Sequence, residues 1–180
     1  PSSPWTPSAN MITARTSHGA SGTDSNTKVL VAGGSVDAAN AVTGAAEIYD
    51  PGADVWTPTG SLAFPRRAHR IQAAGDCGNG YGGCILAVGG VDGAGNPVGS
   101  TEIFVLEKNA WLAAGSTPEP HIYGHQTYRL PGGCGVPWAM VTGGTNEAGF
   151  ETTSVEEFAP QPAGQTCTGD GECCSFHCGC

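Results

Sequence analysis

The chain has 180 residues, 16 acidic against 7 basic, for a formal net charge of −9, and only 13% of its side chains are charged. That balance argues against nucleic acid or an anionic membrane as a partner, since both need basic surface. No apolar stretch is long enough to cross a bilayer as a helix, and the 29 Gly and 13 Pro fall at the turns of a periodic pattern, so they read as ordered punctuation rather than disorder.

In chain order, the first feature is Pro4-Trp5-Thr6-Pro7, followed by Arg15 and His18. An apolar run then ends in a glycine pair, Val29-Leu30-Val31-Ala32-Gly33-Gly34, with Asp37 close behind, then Glu47-Ile48-Tyr49 and Trp56. The same order returns: Arg66 and His69, Ile85-Leu86-Ala87-Val88-Gly89-Gly90, Asp92, Glu102-Ile103-Phe104 and Trp111. It returns again as His125, Trp138-Ala139-Met140-Val141-Thr142-Gly143-Gly144, Asn146 and Glu156-Glu157-Phe158. The spacing is 56 and then 54 residues, so the chain is read first as a repeat. The runs are short, rich in Val, Ile, Tyr and Phe, and bounded by Gly, Pro, Asn and Asp, which predicts strands and tight turns. No window carries a 3.6-residue apolar stripe, so no helix is expected. Four strands in each unit of about fifty residues is the pattern of a propeller blade.

The paired glycines allow a sharp turn with positive φ and close approach of a neighbouring sheet. The Glu on each strand is expected to be bonded to backbone or Arg, because a buried carboxylate without partners is too costly. Trp56, Trp111, Tyr49 and Phe104 are of a size suited to filling space between stacked sheets. All these marks, with Phe158 in the third unit, read as structural.

Gly-Gly after an apolar strand, then Glu47-Ile48-Tyr49-Asp50-Pro51, Trp56 and Arg66-Arg67-Ala68-His69 resemble a kelch repeat, closest to the bacterial secreted kind. The resemblance covers roughly residues 5 to 160 and implies an all-β fold of kelch-like β-propeller blades. The second unit departs from it with Phe104 for Tyr and no Asp-Pro. In the third no Trp follows Glu156, and Ile122 occupies the expected Arg position. The division expected is an N-terminal closing or donor strand (1–10), three blades (about 11–60, 61–115 and 116–160) and a disulfide-rich tail (161–180).

Trp5 stands ten residues before Arg15, as Trp56 stands ten before Arg66. The N-terminal segment therefore reads as the last strand of a blade whose other three strands come from the third unit, donated in cis or in trans. Kelch-like propellers are similar in often closing their ring with strands from both ends, which removes exposed sheet edges. Three blades are fewer than the four to eight of an ordinary ring. Two chains exchanging N-terminal strands would make a closed six-bladed dimer, and exchange that fails to close would run on as a filament. A fragment of a longer propeller fits the count as well.

Eight Cys point to an oxidising compartment, hence an extracellular or cell-surface protein. The chain opens at Pro1, with the expectation that any secretion signal has been removed. Cys77 and Cys84 flank a glycine-rich loop between two strands, and a bridge there would add roughly 2–3 kcal/mol by loop entropy. Cys134 lies in the equivalent loop of the third unit and five more, Cys167, Cys173, Cys174, Cys178 and Cys180, fall in the last fourteen residues. That tail resembles part of a knottin-like framework, and Cys134 pairing into it would make the count even. With His177 the tail also offers metal ligands, although adjacent Cys173 and Cys174 suit a tetrahedral zinc poorly.

Some kelch-like propellers carry a copper site of Tyr and His ligands. The comparable cluster is His121, Tyr123 and His125, which would share one face if the segment is a strand. Asp92 to Asn96 has some character of a calcium loop but too few carboxylates, and Asp and Asn after the glycines are more simply turn formers. Arg15 and Arg66 are expected to bond within or between blades and Arg67 and Arg70 to be exposed. No phosphate-binding glycine loop, nucleophile elbow or glycosylation sequon occurs. The reading is a non-catalytic secreted or cell-surface module without a cofactor, whose partner is itself. The alternative is a propeller that binds an extracellular glycan or protein, or an oxidase-like one holding copper.

Overall fold

A computed structural model of the chain describes residues 5–23, 27–39, 41–75, 83–130 and 139–159. Every regular element among them is a strand, apart from a single 3-10 turn at Leu106–Lys108. The first sheet holds β1 (Gly19–Gly22), β2 (Val29–Ala32), β3 (Ala46–Asp50) and β4 (Val55–Pro58). The second holds β5 (Arg70–Gly75), β6 (Cys84–Val88), β7 (Ser100–Val105) and β8 (Ala110–Ser116), and the third β9 (Gln126–Arg129), β10 (Ala139–Thr142) and β11 (Val155–Phe158). Each sheet is an antiparallel meander in chain order. The fold is all-β, with four-stranded sheets of the kind that make propeller blades.

One register runs through all three sheets. Val31 faces Glu47, Ala87 faces Glu102, and Val141 faces Glu156 across the β2–β3, β6–β7 and β10–β11 pairs. The outer pair repeats as well: Tyr49 faces Trp56 and Phe104 faces Trp111, with ring centroids 5.0 and 5.3 Å apart in tilted contact. A period of two along each strand then decides which residues look toward which neighbour.

The sheets stack face to face, β1 against β5 and β5 against β9. β6 lies between the other two, which is why Cys84-Ile85-Leu86-Ala87-Val88 is apolar without alternation and buried throughout. Its odd-numbered residues Ile85 and Ala87 join Leu30, Ala32, Ala46, Leu62, Ile71 and Phe104 in a core shared with the first sheet. Its even-numbered residues Cys84 and Leu86 join Ala74, Ile103, Val105 and Ala139 in a second core toward the third sheet. Among the described residues β10 has neighbours on one side, and its burial alternates: Ala139 and Val141 are buried, Met140 and Thr142 half-buried.

The third sheet has three strands among the described residues, as expected of a third unit that lacks its Trp strand, and residues 5–8 form no strand beside β11 in the same chain. The segment 121–125 is not a strand either, because Gly124 adopts a left-handed φ of 74° and breaks the alternation. The cysteine-rich tail, Cys77, Cys134, Trp138 and Pro4 lie outside the described residues.

Candidate functional site

The chemistry-bearing side chains gather where one sheet meets the next. In the first sheet Glu47 is 2% exposed, and its carboxylate accepts the backbone N–H groups of Ile12 (2.8 Å) and Thr13 (3.0 Å) and a charged bond from Arg15 Nη2. Arg15 Nη1 also donates to the carbonyls of Gly33 (2.8 Å) and Ala45 (2.7 Å). Burial works to raise the Glu47 carboxyl, but Arg15 and the two N–H groups outweigh it and hold the group below its ordinary value. The second sheet repeats the arrangement. Glu102 accepts from Ala63 and Phe64 and pairs with Arg66, which donates to Gly89 and Ser100. Both arginines are buried; Arg66 uses all three of its guanidinium nitrogens, whereas Arg15 bonds through Nη1 and Nη2 and leaves Nε without a partner among the described residues. Such bonding is the condition under which a buried ion pair is tolerated.

In the third sheet the arginine position passes to His121, not Ile122. Thr16 exchanges both backbone hydrogen bonds with Ser35, and Arg67 does so with Val91. In the third unit the same exchange with Thr145 is split, Ile122 donating and Tyr123 accepting. One extra residue is therefore accommodated, and it pushes His121 into the anchor place. Its Nδ1 lies 2.8 Å from the Gly143 carbonyl, where Arg15 reaches Gly33, and its Nε2 lies 3.5 Å from Glu156. Glu156 accepts the N–H of Glu119, as Glu47 and Glu102 accept theirs. Counting along the sequence could not find this, because the insertion shifts the frame between His69 and His125 by one.

The glycine pairs form the other half of each seam. Gly33 and Gly34 have φ of 66° and 96°, and the Gly89–Gly90 and Gly143–Gly144 pairs adopt the same left-handed backbone. Gly34 N–H donates to the Arg66 carbonyl of the next sheet at 2.8 Å, and Gly90 N–H donates to that of His121 at 2.8 Å. A Cβ on Gly33 would stand 2.6 Å from both the Arg66 oxygen and the His69 ring. His69 and His125 are wholly buried against these glycines, and His125 Nε2 donates to the Val88 carbonyl at 3.2 Å. Burial first, then the charge of Arg66, lowers His69 to about 3, and burial lowers His125 to about 4. Both rings are thus neutral wedges between sheets.

The proposed copper ligands are separated by this architecture. His121 and His125 are buried with ring centroids 5.8 Å apart, whereas Tyr123 is 44% exposed. Asp92 spends its carboxylate on its own turn, accepting from the N–H groups of Ala94 and Asn96 and from the Asn96 amide. Asn146 accepts from Ala148 and Phe150 in the matching turn. Arg70 is exposed and Arg67 half-buried. Cys84 is disulfide-bonded, its partner lying outside the described residues. Trp5 is 86% exposed.

Antiparallel sheets of this topology, stacked through their first strands β1, β5 and β9, are consistent with propeller blades. The Kelch motif matches residues 79–118, a stretch that takes in β6, β7 and β8 with the Glu102 anchor, Phe104 and Trp111. That match and the antiparallel sheets together fit a kelch repeat, and Kelch repeats generally serve as non-enzymatic units of protein–protein interaction. No curated protein matches the chain.

Proposed function

We propose that this chain is a non-catalytic assembly module, secreted or at the cell surface, whose kelch-like blades bind a second copy of the chain through the N-terminal segment. One observation carries the reading. Trp5-Thr6-Pro7 repeats Trp56-Thr57-Pro58, the outer strand that faces Tyr49 and Glu47, and β11 has no outer strand among the described residues. By the common register Trp5 would lie opposite Phe158, Thr6 opposite Glu157 and Pro7 opposite Glu156. Addition of that strand in trans would cover an open sheet edge, which folded proteins otherwise have to protect. A disulfide at Cys84, together with the even cysteine count, supports an oxidising compartment.

Light scattering of the full chain at several dilutions, with and without reductant, tests the reading. A dimer or larger particle is expected, and Trp5→Ala, which removes the side chain opposite Phe158, should weaken it. A particle with the mass of one chain at every dilution would overturn the proposal. The oxidase-like alternative requires Tyr123 beside two histidines, and its exposed position does not favour that.

A further inference from the structure

Self-association by the N-terminal strand says which edge is covered but leaves open which faces meet. From the two seams inside the chain we infer that the Gly143–Gly144 end of the third blade is a socket for the first blade of a second copy. His18 and the Arg15 carbonyl would enter it as His69 and Arg66 enter the socket of the first blade. This inference rests on the self-association proposed above.

The third blade is built to the plan of the other two, and Gly144 meets Tyr123 and His125 of its own blade as Gly34 meets Thr16 and His18, yet no following blade meets Gly143 among the described residues. Gly143 and Gly144 have φ of 62° and 96°, matching Gly33–Gly34 within a few degrees. A Cβ on Gly33 or Gly89 would run into a carbonyl and a histidine ring of the next blade, but on Gly143 it would meet, among the described residues, only the Thr152 oxygen at 3.7 Å. The four earlier glycines are buried and these two are half-buried. Gly34 and Gly90 each donate their N–H to the next blade, whereas Gly144 N–H has no acceptor among the described residues. A left-handed glycine pair with room for a ring, and with a donor unused among the described residues, is what the inner seams look like with the following blade taken away.

The matching half is carried by the same chain at its other end. His18 stands in the first blade where His69 and His125 stand in theirs, each three or four residues after the anchor residue and next to a left-handed residue: Ser17, Ala68 and Gly124. His18 is half-buried and its Nδ1 is enclosed without a hydrogen-bond partner, whereas the other two rings are wholly covered. Ala20, two residues on, is exposed, and its counterpart Ile71 is buried against Gly19 of the preceding blade. Socket and plug thus lie on opposite ends of one stack, so the contact is head to tail. Two chains of three blades close at six, within the usual range of four to eight.

The seam between copies would be more polar than those within. Glu157 occupies the place of Ile48 and Ile103 on the face in question, beside Met140 and the exposed Val155. The assembly is therefore expected to separate on dilution before the blades unfold.

The test places a photo-crosslinking side chain in the plug, His18→p-benzoylphenylalanine, in the full chain, with equal amounts of isotope-labelled and unlabelled protein. Irradiation should join residue 18 to residues 139–146, and about half of those products should contain one labelled and one unlabelled chain. Gly143→Trp, which fills the socket, should lower the particle mass to that of one chain while strand content holds. Gly99→Trp, with open space around its Cβ, is the control and should leave the mass unchanged. A particle that stays assembled in Gly143→Trp, or whose residue 18 crosslinks elsewhere, would overturn the socket and leave self-association standing. If the unmodified chain is a single copy at all dilutions, both proposals fall.

Discussion

His121 Nε2 stands 3.5 Å from Glu156 Oε2, in the place where Arg66 and Glu102 meet at 2.9 Å. The imidazole must donate through Nδ1 to reach the Gly143 carbonyl, so a neutral ring would turn the bare lone pair of Nε2 toward the carboxylate. The third anchor is longer and has fewer donors than the first two.

That difference predicts a gradient of mutational cost. Arg66→Met strands the buried Glu102 carboxylate and should destabilise the chain by about 3–5 kcal/mol. His121→Ala removes a weaker set of bonds and should cost about 1–2 kcal/mol. Adding Glu102→Leu to Arg66→Met should recover part of the loss, because the uncompensated charge goes with it. Urea unfolding measures all three, and equal costs at the two anchors would contradict the ranking.

Hydrogen exchange should show the same gradient in the backbone. β6 is covered on both faces by the cores it shares with the first and third sheets, whereas β10 is covered on one among the described residues. Amides of Ile85 to Ala87 should exchange only on global opening, and those of Met140 and Val141 through smaller openings, at least tenfold faster. Assembly through the third blade should slow the second group selectively. Equal protection in the two strands at all concentrations would refute this.

The glycine pairs allow a cleaner comparison. Ala at Gly33 and at Gly143 both force a left-handed backbone, at about 1–2 kcal/mol. Only at Gly33 does the new methyl also strike the Arg66 carbonyl and the His69 ring. In chains held as single copies, Gly33→Ala should lose clearly more stability than Gly143→Ala, measured by thermal melting. In the assembled particle the gap should narrow.

Acid should loosen the stack. His69 and His125 take up protons near their ordinary value of 6.5 when unfolded, but only near 3 and 4 when folded. Between these limits the unfolded chain holds more protons, so stability rises with pH, is complete above about 6.5 and is lost as pH falls toward 4. Glu47, held below its ordinary 4.5 in the folded chain, adds loss of the same sign below that pH. At pH 5 one such histidine accounts for up to about 2 kcal/mol. Melting temperature should decline from pH 6.5 to 4, and His69→Gln should flatten the upper part of that curve. A wild-type slope in His69→Gln would mean the ring is not held neutral.

Much of the architecture was legible in the residues because it is local. A strand that ends in Gly-Gly, a Glu two residues before an aromatic, and a Trp at fixed distance each follow from backbone freedom, alternation and turn chemistry. The apolar run before Gly89-Gly90 could be read as a strand, though its cover on both faces came only from the stacked sheets, and Glu47 and Glu102 could be read as bonded to backbone or Arg because a buried carboxylate needs partners. What the chain order could not reveal was anything that depends on register between segments far apart. The single-residue insertion before His125 moved the third anchor from Ile122 to His121, since backbone pairing with Thr145, not spacing from His125, decides which side chain turns inward. The same turn, with Gly124 left-handed, sent Tyr123 outward and parted the three residues that alternation would have placed together. Repetition is written in sequence because each blade solves the same local problem. Which side chains meet between blades is settled only by stacking, where a shift of one residue exchanges buried for exposed.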